Sequence, residues 1–157
     1  MPHLATYVGL LHHSERSLAE ALRTVGEGHA AEADVYHVCD TLAKMSEEHV
    51  RRLEPIVRRY GEQRHGDDVE EPERLYADGP GEIRKGPVGL LRDLQDLYVL
   101  ATLVQTTWTA VGQAAQGVRD RELLELAQAS ETETGRQLSW LTTRLKAAAP
   151  QALIVAP

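Results

Sequence analysis

Three ionisable side chains sit where leucines would serve: Glu15, His49 and Glu131. Each interrupts an apolar stripe of helical period. The first stripe is Leu4, Val8, Leu11, Glu15, Leu18, Leu22 and Val25. The second is Val35, Val38, Leu42, Met45, His49, Leu53, Ile56 and Tyr60, and the last is Leu124, Ala127, Glu131, Thr134, Leu138, Leu141 and Leu145. Spacings alternating between three and four place such residues on one helix face. An unpaired carboxylate on a dry face is costly, so it must be paired, protonated or bound to a cation. Two carboxylates and an imidazole meeting at one point would suit iron, manganese or zinc.

The chemistry-bearing residues lie near the middles of their helices, so three helices aim ionisable groups at the same level of one core. His12 leans toward the Glu15 face and is a candidate additional ligand. A third stripe, over residues 88–117, carries Tyr98 and Gln105 on its edge as further candidates and has no mid-helix carboxylate, since Asp93 and Asp96 come too early. Each group has a plainer reading. His49 is a core histidine hydrogen-bonded to Glu15 or Glu131, a metal ligand, or a partly exposed side chain beside a kink at Pro55. Glu15 and Glu131 belong equally to a buried network that fixes helix register without chemistry. Gln105 reads as a hydrogen-bonding partner, and Tyr98 and Trp108 as core.

The positioning elements follow from the same periodicity. Helices are predicted over 4–25, 33–60, 88–117 and 121–149, in a single domain spanning 1–157. The glycines of "GEG" end the first, Gly61 ends the second and Pro150 closes the fourth. Pro55 should bend the second helix, because the Arg51 carbonyl loses its donor. Residues 61–87 are rich in glycine, proline and acids and read as a crossover, with a short helical turn near 73–77. Short loops make the first two helices antiparallel neighbours, and likewise the last two. The crossover is long enough to run the length of a bundle, about 40 Å at 1.5 Å per residue. The tail "QALIVAP" is apolar and should dock on its own bundle or on a second chain.

The 157 residues suit one self-sufficient core, and abundant Ala, Leu, Glu, Arg and Gln without any Phe argues for an all-α protein. A net charge of −7 disfavours nucleic acid and anionic membranes as partners. The single cysteine, Cys39, rules out an internal disulfide and fits a cytoplasmic location, and no signal peptide or membrane span is expected. A homodimer or higher oligomer is expected through an apolar flank and the tail. Other motifs carry no chemistry. "GEIRKGP" has Pro87 where a phosphate-binding lysine would stand, and "GDDVEEPE" lacks the spacing of a calcium loop. No nucleophile, base and orienter set suggests hydrolysis.

Four helices, an interrupted set of mid-helix ligands and one long crossover resemble the ferritin-like superfamily. In its di-iron members a Glu on each of two helices joins an E-x-x-H on each of the others. The resemblance covers residues 4–149 and matches Glu15, His49 of "SEEH" and Glu131 of "ETET". It fails at Ser46, where a glutamate belongs, and at Thr134, where a histidine belongs. The stretches "LLRDLQDLYVLA", "WTAVGQAAQGVRDRELL" and "ETGRQLSWLTTRLK" are also similar to a small bacterial family of ferritin-like proteins without an assigned activity. The resemblance implies a ferritin-like four-helix bundle with a degenerate ligand set. Two functions stay open: an interaction or stress-associated protein with no cofactor, and a protein binding iron or another divalent metal with oxidase or metal-handling activity.

Overall fold

A computed structural model describes residues 1–62 and 79–157. Four long helices, α1 (Pro2–Gly28), α2 (Ala33–Glu62), α3 (Gly86–Gly117) and α4 (Arg121–Pro150), account for nearly all of them. There is no strand among the described residues. The all-helical, four-helix expectation is met. Of the expected crossover, residues 63–78, including the turn near 73–77, lie outside the described residues.

The first two stripes face inward as their periods require. Val8, Leu11, Leu18, Leu22 and Val25 of α1 and Val35, Leu42, Leu53, Ile56 and Tyr60 of α2 are buried. Trp108 is the largest fully buried side chain and stands on α3 among Leu94, Leu97, Ala101 and Val104. α1 packs on α2 and α3, and α4 packs on α3 and α2; among the described residues the backbones of the diagonal pairs, α1 with α4 and α2 with α3, do not come together. Polar ties fix the directions. His29 at the end of α1 meets Asp93 near the start of α3, so these helices run antiparallel. Tyr60 at the end of α2 donates to Asp120 at the start of α4, and Arg144 near the end of α4 donates to Asp34 at the start of α2. The end of α2 and the start of α3 therefore lie at opposite ends of the bundle.

The helix ends depart from the glycine and proline rules in instructive ways. α1 runs on through "GEG" and ends at its last glycine, Gly28, three residues past the expected Val25. Gly26 is instead a point of close approach, where a Cβ would stand 2.9 Å from the Cβ of Cys39 on α2. Gly61 lies within α2, and Pro55 sits on its exposed face inside an unbroken helix, where water can satisfy the freed carbonyl. Asp120 caps α4 by accepting from the Leu123 amide at 3.1 Å. α4 ends at Pro150 as expected, but the chain keeps helical dihedrals there and widens into a π-helical turn, Gln151–Val155. This turn docks on α3 and α4 through buried Ala152, while Leu153, Ile154 and Val155 stay exposed.

Candidate functional site

Glu15 and His49 meet in the core, as the interrupted stripes predicted. Glu15 is fully buried and His49 nearly so. The His49 Nδ1–H donates to Glu15 Oε1 at 3.0 Å. The same oxygen accepts a second hydrogen bond, at 2.8 Å, from the indole Nε1–H of Trp108 on α3. The imidazole also stands edge-on to the Trp108 ring, with centroids 6.1 Å apart. One carboxylate thus ties three helices together at mid-height. Burial pulls the His49 pKa down, but Glu15 and, behind it, Glu133 more than offset this and leave it above its ordinary 6.5.

Glu131 does not join them. It is only half-buried, and its carboxylate accepts a hydrogen bond from the Thr109 hydroxyl at the rim between α3 and α4. The acid nearest His49 from α4 is Glu133, whose Oε1 lies 3.5 Å from His49 Nε2. The reason is the rotation of α4. Its buried line runs through Leu123, Leu126, Ser130, Thr134, Gln137 and Leu141, so Ser130 takes the inward place expected of Glu131. Leu124 and Leu145 are correspondingly only partly buried.

Gln137 is the polar core residue that the stripes did not reveal. Its Nε2 donates to the Leu42 carbonyl at 3.0 Å and to Ser46 Oγ at 2.9 Å, both on α2. Ser46, standing where a ligating glutamate was looked for, is therefore a hydrogen-bond acceptor for Gln137. Thr134 turns its hydroxyl back onto the Ser130 carbonyl at 2.7 Å.

The remaining candidates scatter. His12 Nε2 is buried without a hydrogen-bond partner among the described residues, and burial, aided by Arg16 and His13 against Glu54, lowers its pKa. Gln105 is half-buried against α4, its Nε2 3.7 Å from where a Cβ on Gly135 would stand. Tyr98 faces outward from α3 and is exposed, which removes it from the interior. Among the described residues no three His, Cys, Asp or Glu side chains form a group able to hold a metal ion.

A second buried ionic cluster lies at the α1 end of the bundle, on a residue set aside as too near the start of α3. Asp93 is fully buried. Its Oδ2 lies 2.7 Å from His29 Nε2 and accepts the Arg84 amide at 3.2 Å, while its Oδ1 accepts Arg84 Nη1 at 2.8 Å. Its partners come from the α1–α2 loop and from the segment leading into α3, which a helix-period reading does not address. No described helix is long and apolar enough to cross a membrane. No family model, no curated protein and no solved structure matches this chain.

Proposed function

We propose that this chain is a ferritin-like bundle whose interior polar groups serve as a metal-independent scaffold, and that it acts as a non-enzymatic interaction or stress-associated protein. The ferritin-like connection is supported by the neighbour order of the helices and by the placement of the end of α2 and the start of α3 at opposite ends. The scaffold reading rests on one observation above all. A single oxygen of Glu15 is held by two protein donors, and α3 meets it with an indole N–H, which donates and cannot ligate a cation. Ser46 and Thr134 each make a hydrogen bond elsewhere, Ser46 with the Gln137 amide and Thr134 with the Ser130 carbonyl. A pair of metals does not fit this donor set. Elemental analysis of protein purified without chelator tests the reading. Well under one metal per chain, unchanged by His49→Ala, is expected.

A second reading is favoured by one geometric fact. Glu15 Oε2 and His49 Nε2 are both buried without hydrogen-bond partners among the described residues, and Nε2 faces Glu133. A carboxylate behind one ring nitrogen commonly orients a histidine whose other nitrogen binds metal. A single divalent cation, iron or manganese for example, would then be held by His49 and Glu133, with Glu15 orienting the ring. Stoichiometric metal lost in Glu133→Ala and retained in Glu131→Ala would replace the scaffold reading with this one.

A further inference from the structure

The turn between α3 and α4 breaks two local rules, and both breaks fall on arginine. Val118, Arg119 and Asp120 connect the helices. The Asp120 amide donates to the Ala115 carbonyl at 2.9 Å and the Arg119 amide to the Gln116 carbonyl at 3.2 Å. This pair of hydrogen bonds closes a helix through one left-handed residue, for which glycine is the usual and least strained choice. Here that residue is Arg119, at φ 59°, the one non-glycine with positive φ among the described residues. Arg121 then opens α4, so a cation stands at the helix end where the backbone dipole favours an anion. Departures from local preference are expected where function rather than folding sets the residue.

Both arginines line one recess of about 440 Å³ at this end of the bundle, with Arg59 and Tyr60 from the end of α2 and with Asp120 and Glu122. The two acids are already engaged. Asp120 accepts from the Tyr60 hydroxyl at 2.7 Å and from the Leu123 amide at 3.1 Å, and it lies 2.9 Å from Arg59 Nη2. Glu122 lies 3.8 Å from the same nitrogen. That nitrogen is buried and is not aligned to donate a hydrogen bond to either acid. Among the described residues Asp120 and Glu122 both pair with Arg59, while Arg119 and Arg121 make no ion pair. Three guanidinium groups against two engaged carboxylates leave the recess positive on a chain that carries −7.

We propose that this recess binds a phosphate group, held by Arg59, Arg119 and Arg121. A tetrahedral oxoanion offers oxygens to several guanidinium forks at once, whereas a carboxylate has only two. A phosphate here would also offset the cost of placing Arg121 against the helix dipole. The Leu123 amide takes no part, because Asp120 already caps it.

Calorimetric titrations and thermal melts of the full chain test this with inorganic phosphate, glycerol phosphate and acetate, each compared with chloride at matched ionic strength. The wild type should bind phosphate with a Kd of about 1 mM or tighter. About 50 mM phosphate should then raise its Tm by about 5 °C or more, and acetate should not. Arg119→Gly and Arg121→Gln should each weaken phosphate binding by about tenfold or more. In chloride, Arg119→Gly should melt about 2 °C or more above wild type, since glycine suits the left-handed position, and Arg121→Gln should melt no lower than wild type. Glycerol phosphate matching inorganic phosphate would assign the recess to the phosphate of an ester, and inorganic phosphate binding alone would assign it to the free ion. No phosphate-specific shift in the wild type, an equal shift with acetate, or binding retained by both variants would overturn the proposal. So would an Arg119→Gly protein that melts below wild type, since Arg119 would then be there for packing.

Discussion

Replacing Glu15 by leucine removes an acceptor from two donors that have no other described partner. The Trp108 indole N–H and the His49 Nδ1–H both end on Glu15 Oε1, and all three side chains are essentially excluded from water. An orphaned buried donor costs about 1–3 kcal/mol, and breaking a buried charge pair by removing one member costs about 3–5 kcal/mol. Glu15→Leu should therefore destabilise by about 3–5 kcal/mol, even though the leucine itself suits the stripe. His49→Leu alone strands the carboxylate with the indole as its one donor and should cost a similar amount. The double variant leaves only the indole unsatisfied, about 1–3 kcal/mol, so the two changes should fall short of additivity by at least 2 kcal/mol. The cycle is measured by urea denaturation followed by far-ultraviolet circular dichroism. The His49 pKa is raised on folding, so its contribution is complete below its unfolded value of 6.5 and fades as pH rises through the higher folded value. The Glu15→Leu penalty should accordingly be larger at pH 6 than at pH 9. Additivity within about 0.5 kcal/mol, with no change between the two pH values, would refute the idea that these groups act as one unit.

Two further substitutions probe the packing that surrounds the site. Gly26→Ala should destabilise by about 1–3 kcal/mol, since the new methyl would meet a Cβ that cannot rotate away; Cys39→Ala should give no relief while Cys39→Gly should, as read by thermal melts. Asp93→Asn should cost about 1–3 kcal/mol by weakening the hold on His29 and Arg84, and limited proteolysis should cut within Gly79–Lys85 faster than in wild type; unchanged cleavage would mean that Asp93 does not anchor that segment.

The sequence made the helices legible because hydrophobic period and charge agreed over long stretches. The Glu15–His49 pair was legible for the same reason: strong leucine and valine neighbours on both sides fixed which way each residue faced. α4 was ambiguous at its centre. Two stripes share Ala127, Thr134, Leu138 and Leu141 and diverge at Ser130 and Glu131, where polar residues carry no hydrophobic signal. The choice is made by tertiary partners: Gln137 reaches the Leu42 carbonyl and Ser46 across the bundle, and this rotation brings Glu133 toward His49. The Trp108–Glu15 hydrogen bond joins residues 93 apart, and no local pattern encodes it. Gly26 was misread because glycine marks both helix ends and close helix contacts, and only the neighbour across the gap, Cys39, distinguishes them. Asp93 was passed over because its partners lie outside helices, where periodicity is silent.

The polar ties that cross from the first hairpin to the second, Trp108 to Glu15 and Gln137 to Leu42, couple the two halves of the chain. Neither half can hold its buried polar atoms satisfied while standing alone. A chain with both hairpins formed but undocked would present a bare carboxylate and an idle amide along its greasy seams. Sliding one hairpin by a turn against the other would mismatch both ties at once. The interior thus works as a key: it penalises every misaligned assembly of the halves more heavily than it rewards the correct one.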